Sequence, residues 1–142
     1  MDSFILEYLH EIYGEKILNL QMKIAFTQGK NKRLALIGDS ILNLVVKLQE
    51  FEDLNSTTES IDDARQLHAD KHAMQDILNE DRTFTKYLID EHECTSPVGK
   101  IGLNRADDFM EAIIGVIFLT KGYKIAKKYV LKILEHKPEK SE

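Results

Sequence analysis

The run Arg33-Leu-Ala-Leu-Ile-Gly-Asp-Ser-Ile-Leu-Asn-Leu-Val-Val46 decides the fold class. From Leu34 to Val46 it is apolar on nearly every side, interrupted only by Gly38, Asp39, Ser40 and Asn43. It lacks the alternation of a half-buried strand, and no proline breaks it between Lys32 and Leu54. A helix that is apolar all round belongs at the centre of a bundle or at a subunit interface.

Working outward, the same periodicity recurs. Phe4, Ile5, Leu9, Ile12 and Tyr13 predict a helix starting at Asp2 or Ser3, and Gly14 divides it from a second one ending near Phe26. Ser60 and Asp63 form a start signal like a capping box for a helix to about Leu78. Further helices are expected over Arg82–Glu91, Ala106–Thr120 and Tyr123–Glu135, with an irregular connection from His92 to Asn104. The class is all-α. One domain is expected over residues 1–136, followed by a fraying tail at 137–142.

Composition narrows the function. The 142 residues are 43% hydrophobic and 30% charged, which excludes a disordered or collagen-like chain. The apolar run Ala112–Leu119 is too short to span a bilayer, so no membrane partner is expected. No basic stretch with an apolar core opens the sequence, so secretion is not expected, and the single Cys94 fits a reducing cytoplasm rather than a disulfide framework. The net charge of −5 gives no bulk attraction to nucleic acid, although Lys23, Lys30, Lys32 and Arg33 form an acid-free basic stretch.

The acids inside apolar runs carry the chemistry. Asp39 stands within the central helix, where a carboxylate is costly unless paired, hydrogen-bonded or bound to a cation. Asp107-Asp108-Phe-Met-Glu111 leads straight into the run Ala112–Leu119. Asp107 and Asp108 can be read as favourable charges in a first helical turn, but Glu111 and Asp39 cannot. Asp108 and Glu111, three apart, project from one helix face. Asp39, Asp108 and Glu111 thus form either a hard-oxygen magnesium site or buried ion pairs, with Arg33 and Arg105 as partners. Ser40 lacks a defined base, Cys94 lacks a histidine–acid constellation, and His68 and His72 are read as a polar helix face.

Residues 33–46 resemble the signature helix of ribonuclease III, close to E-R-L-E-F-L-G-D-S-V-L. Asp108-Phe-Met-Glu-Ala-Ile-Ile-Gly-Val-Ile-Phe-Leu119 is similar to that family's second acidic helix, D-x-x-E-A-L-I-G-A-I-Y-L. The resemblance implies that Asp39, Asp108 and Glu111 hold catalytic Mg2+ or Mn2+, with Asp39 and Glu111 central to catalysis. Two family glutamates fall on Lys32 and Ala35, so one metal ligand is replaced. Leu34-Ala35-Leu36-Ile37-Gly38-Asp39 looks most like the Mini-ribonuclease III branch, which lacks a double-stranded-RNA-binding domain, and with the sequence ending at Glu142 no such domain is expected here. Where that branch has an acid one turn after the aspartate, this chain has Asn43. Asn43, Glu59 and Asp107 are accessory candidates.

What this implies is a metal-dependent endoribonuclease acting on double-stranded or structured RNA as a homodimer. Lys30, Lys32, Arg33, Lys71 and Arg105 would line its RNA valley, with Lys23 and Lys100 as further candidates. The rival is a ribonuclease III-fold homodimer with impaired cleavage, serving as an RNA-binding or assembly module. Ala35 and Asn43 favour the rival; the retained acids favour the enzyme.

Overall fold

The computed structural model describes residues 2–52, 71–96 and 99–136. Among them are seven α-helices and no strand: α1 (Phe4–Tyr13), α2 (Leu20–Ala25), α3 (Lys32–Phe51), α4 (Lys71–Glu80), α5 (Arg82–Glu91), α6 (Leu103–Lys121) and α7 (Tyr123–Leu134). The capping-box start at Ser60 and Asp63, Pro97 and the tail at 137–142 lie outside the described residues.

Local chemistry explains the boundaries. The Ser3 hydroxyl accepts from the Leu6 amide, and the Asn19 side chain accepts from Met22, capping α1 and α2. Asp81, only 2% exposed, serves two helices at once. Its Oδ1 accepts from the Phe84 amide to start α5, while Oδ2 accepts from the Ile5 amide and the Ser3 hydroxyl at the start of α1. Nothing in the sequence pattern announced that second role.

α6 runs through the middle of the molecule. Ala106, Phe109, Met110, Ala112, Ile113, Val116 and Ile117 are fully buried, and α2, α3, α4 and α7 all pack on it. Each large apolar side chain hidden this way stabilises the fold by about 1.5–3 kcal/mol. α3 lies along α6 more closely than ordinary side chains permit. A Cβ added to Gly38 would overlap the Glu111 carbonyl oxygen, and one added to Gly115 would overlap the carbonyl oxygen of Leu34. The two glycines thus sit at reciprocal points of one helix crossing.

Of the two places expected for an all-apolar helix, the bundle centre and a subunit interface, the centre is taken by another element. α6, not α3, is buried on all sides. α3 buries Leu34, Ala35, Gly38, Ile41, Leu42, Val45 and Val46, and leaves Leu36, Leu44, Leu48 and Phe51 exposed on the opposite side. Of the two places open to an all-apolar helix, α3 therefore occupies an outer one.

The segment before α6 is clamped rather than loose. Asn79 on α4 accepts from the Ile101 amide and donates to the Ile101 carbonyl, at 2.8 and 2.9 Å. Arg105 donates to the Thr95 carbonyl at 2.6 Å, and Gln28 accepts from the Thr95 amide. These bonds fix where α6 begins, and hence where its acids stand.

Candidate functional site

Ala35, Asp39 and Asn43 follow one another at helical spacing along one face of α3. Ala35 is buried, Asp39 and Asn43 half-buried, and the Asn43 amide lies 3.4 Å from the Asp39 carboxylate. Across the glycine crossing, α6 presents Asp107 and Glu111, 8% and 5% exposed. The Glu111 carboxyl meets both Asp107 and Asp39.

Burial dominates the electrostatics. It pushes the Glu111 carboxyl up to about 11, reinforced by hydrogen bonding to Asp107 and to Asp39 and by their charges. Glu111 therefore holds its proton at neutral pH. Burial also raises Asp107, opposed by its hydrogen bond to Glu111 and by the positive charge of Lys71. The Glu111 Oε2 atom is buried, and among the described residues no donor reaches it.

The structure brings together Asp39, Asp107 and Glu111. Asp108 takes a different position: it is half-buried and lines a cavity of about 210 Å³ with Lys32, Arg105, Asn31 and Asn104. α6 begins at Leu103, so Asp107 and Asp108 are not first-turn charges, and that electrostatic reading of them falls. The buried pair is Asp107 with Glu111, and its signal was the four-residue spacing between them. Among the described residues the anticipated ion pair to Arg105 is not seen; its guanidinium donates instead to the Thr95 carbonyl. Lys71 instead donates to Asn104 at 3.1 Å, near enough to Asp107 to favour its charged form.

Of the remaining basic candidates, Lys30, Lys32 and Arg33 are exposed around the start of α3. Lys100 faces a separate cavity with Asp76, Glu80 and Arg82, away from Lys32 and Arg105. Glu59 and His68 lie outside the described residues, and His72 is exposed on α4. Cys94 is buried with its thiol pKa raised by burial, the reverse of an activated nucleophile. The Ser40 hydroxyl donates back to the Leu36 carbonyl.

These oxygen donors suit a hard divalent cation in type. In placement they fall short: among the described residues, no three His, Cys, Asp or Glu side chains are arranged as ligands of one cation. α3 supplies a single carboxylate to the crossing, since Ala35 and Asn43 flank Asp39.

The family model described as Ribonuclease-III-like matches residues 21–137. The chain belongs to the ribonuclease-III-like family. It is 32% identical over 108 residues to a ribonuclease 3 of Corynebacterium diphtheriae, covering 75% of this chain and 43% of the relative. A ribonuclease 3 of Leptospira interrogans is 26% identical over 115 residues, 79% of this chain and 47% of that one. The chain thus spans less than half the length of these curated relatives. Its fold is similar to that of the nuclease domain of ribonuclease III from Campylobacter jejuni, with a TM-score of 0.74 and 23% identity over 93% of this chain and 97% of the other. That structure is described for flexibility in the region involved in its dimer formation. The all-α ribonuclease III architecture expected from residues 33–46 and 108–119 is the one observed, and the Ala35 variant of the signature helix is consistent with the Mini-ribonuclease III branch. Among the described residues, no helix is long and apolar enough to cross a membrane.

Proposed function

We propose that this chain is a homodimeric ribonuclease III-fold module for double-stranded or structured RNA, with cleavage impaired by an acidic site one carboxylate short. The observation that carries this reading is Ala35 together with Asn43: both stand on the face of α3 that bears Asp39, one where the wider family resemblance calls for a metal-binding glutamate and the other where the Mini-ribonuclease III branch has an acid. RNA duplexes are read by shape, through phosphate and 2′-hydroxyl contacts. Lys32 and Arg105 beside Asp108, with Lys71 near Asp107, supply positive charge where such phosphates would lie. Binding is therefore weakened steeply by salt.

The exposed apolar stripe of α3 supports the homodimer. Leu36 and Phe51 are each 73% exposed, and Leu44 and Leu48 lie between them on the same helix. Exposed apolar side chains gathered on one face of a helix in this way are the mark of an interface. The family relation and the description of the Campylobacter protein point the same way.

A specific observation favours a second reading, the metal-dependent endonuclease. Buried Glu111, with no donor reaching Oε2, stands against Asp107 and Asp39. Asp39 and Glu111, with Asp107 or Asp108, would hold Mg2+ or Mn2+. Such an ion polarises water and stabilises in-line displacement at phosphorus. Incubating the protein with double-stranded RNA and either cation, beside a Glu111→Gln variant, separates the readings. Salt-sensitive binding with no cutting by either protein supports the module. Cutting that disappears in Glu111→Gln establishes the enzyme.

A further inference from the structure

Far from the acids, at the other end of α6, α1 and α7 enclose a cavity of about 310 Å³. It is lined by Tyr8, Glu11, Ile12, Lys121, Ile125, Lys128, Tyr129 and Lys132. Lys121 follows Glu111 by ten residues on α6, a rise of roughly 15 Å, so this cavity is separate from the acidic site.

Its walls divide into two chemistries. Ile12, Ile125 and the fully buried ring of Tyr129 make an apolar floor, and Tyr8 adds an aromatic face. The rim carries three lysines. Lys132 is paired with Glu11 at 2.9 Å and lies 5.1 Å above the Tyr8 ring. Lys121 lies 5.5 Å above the Tyr13 ring. Among the described residues, neither Lys121 nor Lys128 has a carboxylate within ion-pair distance. Glu11 and Glu135 offset Lys132, so the positive charge left facing the cavity is that of Lys121 and Lys128.

We propose that this cavity binds a small organic phosphate with a planar aromatic body, the class of the nucleoside monophosphates. A phosphate monoester carries about −1.5 to −2 charges at neutral pH, which Lys121 and Lys128 together can meet. An aromatic body can pack on Ile12 and Ile125 and against the Tyr8 ring, and the volume is that of a small-molecule site. A carboxylate would leave one lysine uncompensated, and inorganic phosphate would leave the floor bare.

Titration calorimetry with adenosine 5′-monophosphate, adenosine and inorganic phosphate tests this, on the wild type, Lys121→Gln/Lys128→Gln and Lys32→Gln/Arg105→Gln. The nucleotide should bind one per chain and at least ~10-fold tighter than either fragment. The Lys121/Lys128 change should weaken it by at least ~10-fold while the ligand-free chain stays folded and helical, and the Lys32/Arg105 change should leave it untouched. In methyl spectra, Ile12 and Ile125 should shift on nucleotide addition. Nucleotide binding no tighter than phosphate, loss only in the Lys32/Arg105 variant, or unmoved Ile12 and Ile125 methyls would overturn the proposal.

Discussion

Gly38 of α3 rests directly on the backbone carbonyl of Glu111 of α6, with no room for a methyl group between them. The residue after Gly38 is the half-buried acid Asp39, and the residue supplying the carbonyl is the buried acid Glu111. The close approach of two helix backbones therefore also sets the meeting of two carboxyl groups. Gly115 and Leu34 repeat the contact further along, so the crossing is held at two points.

Gly38→Ala should be among the most damaging small substitutions in the chain. Helix propensity alone favours alanine by about 1 kcal/mol, yet the added carbon has only backbone to displace. Forcing α3 from α6 should cost about 1–3 kcal/mol net, a fall in Tm of roughly 4–12 °C. Calorimetry of the variant checks it, and an unchanged or raised Tm would show that the helices are not so close.

Glu111 gives stability a pH dependence of definite sign. Its pKa is raised from the ordinary 4.5 to about 11, so the folded chain keeps a proton that the unfolded chain releases above 4.5. The contribution is fully present below pH 4.5 and is lost as pH rises towards about 11. Glu111→Gln does not titrate and should flatten that decline, leaving the variant more stable than wild type near pH 9. Asp107, also raised, leaves a residual slope. Urea unfolding across that range measures it; parallel declines in both proteins would contradict the assignment.

How much of this was legible beforehand follows from how local each determinant is. Helical spacing and the glycine stops placed α5, α6 and α7 within a few residues, because caps and breaks act over one turn. Asp39 stood out because a carboxylate inside an apolar helix has few explanations. The rest depends on contacts across the chain. Whether Asp107 or Asp108 turns inward depends on where α6 starts, and that is set by the Asn79 clamp on Ile101, twenty-two residues away in sequence. The second role of Asp81, at the start of α1, spans seventy-six residues to Ile5. The lysine-rimmed cavity joins α1 to α7, which no single segment displays.

The α3 stripe predicts an association that can be broken without unfolding the chain. Leu36 and Leu44, exposed by 73% and 44%, can take aspartate without disturbing the core. In the proposed homodimer, Leu36→Asp/Leu44→Asp buries like charges in a shared face, so sedimentation should show a monomer where the wild type gives twice the chain mass. Circular dichroism should remain helical. A wild type that sediments as a monomer at micromolar concentration would remove the dimer.

The measurement that bears most directly on the central claim is a gain of function at Ala35. That residue, 6% exposed, shares a face of α3 with Asp39, and glutamate there would restore the second carboxylate of that helix. Single-turnover cleavage of double-stranded RNA in Mg2+ should be absent or slow in the wild type and at least ~10-fold faster in Ala35→Glu, a lowering of the barrier by about 1.4 kcal/mol, with RNA affinity little changed. A helical, dimeric Ala35→Glu protein that cuts no faster than wild type, beside a wild type that cuts efficiently and loses that activity in Glu111→Gln, would contradict the account.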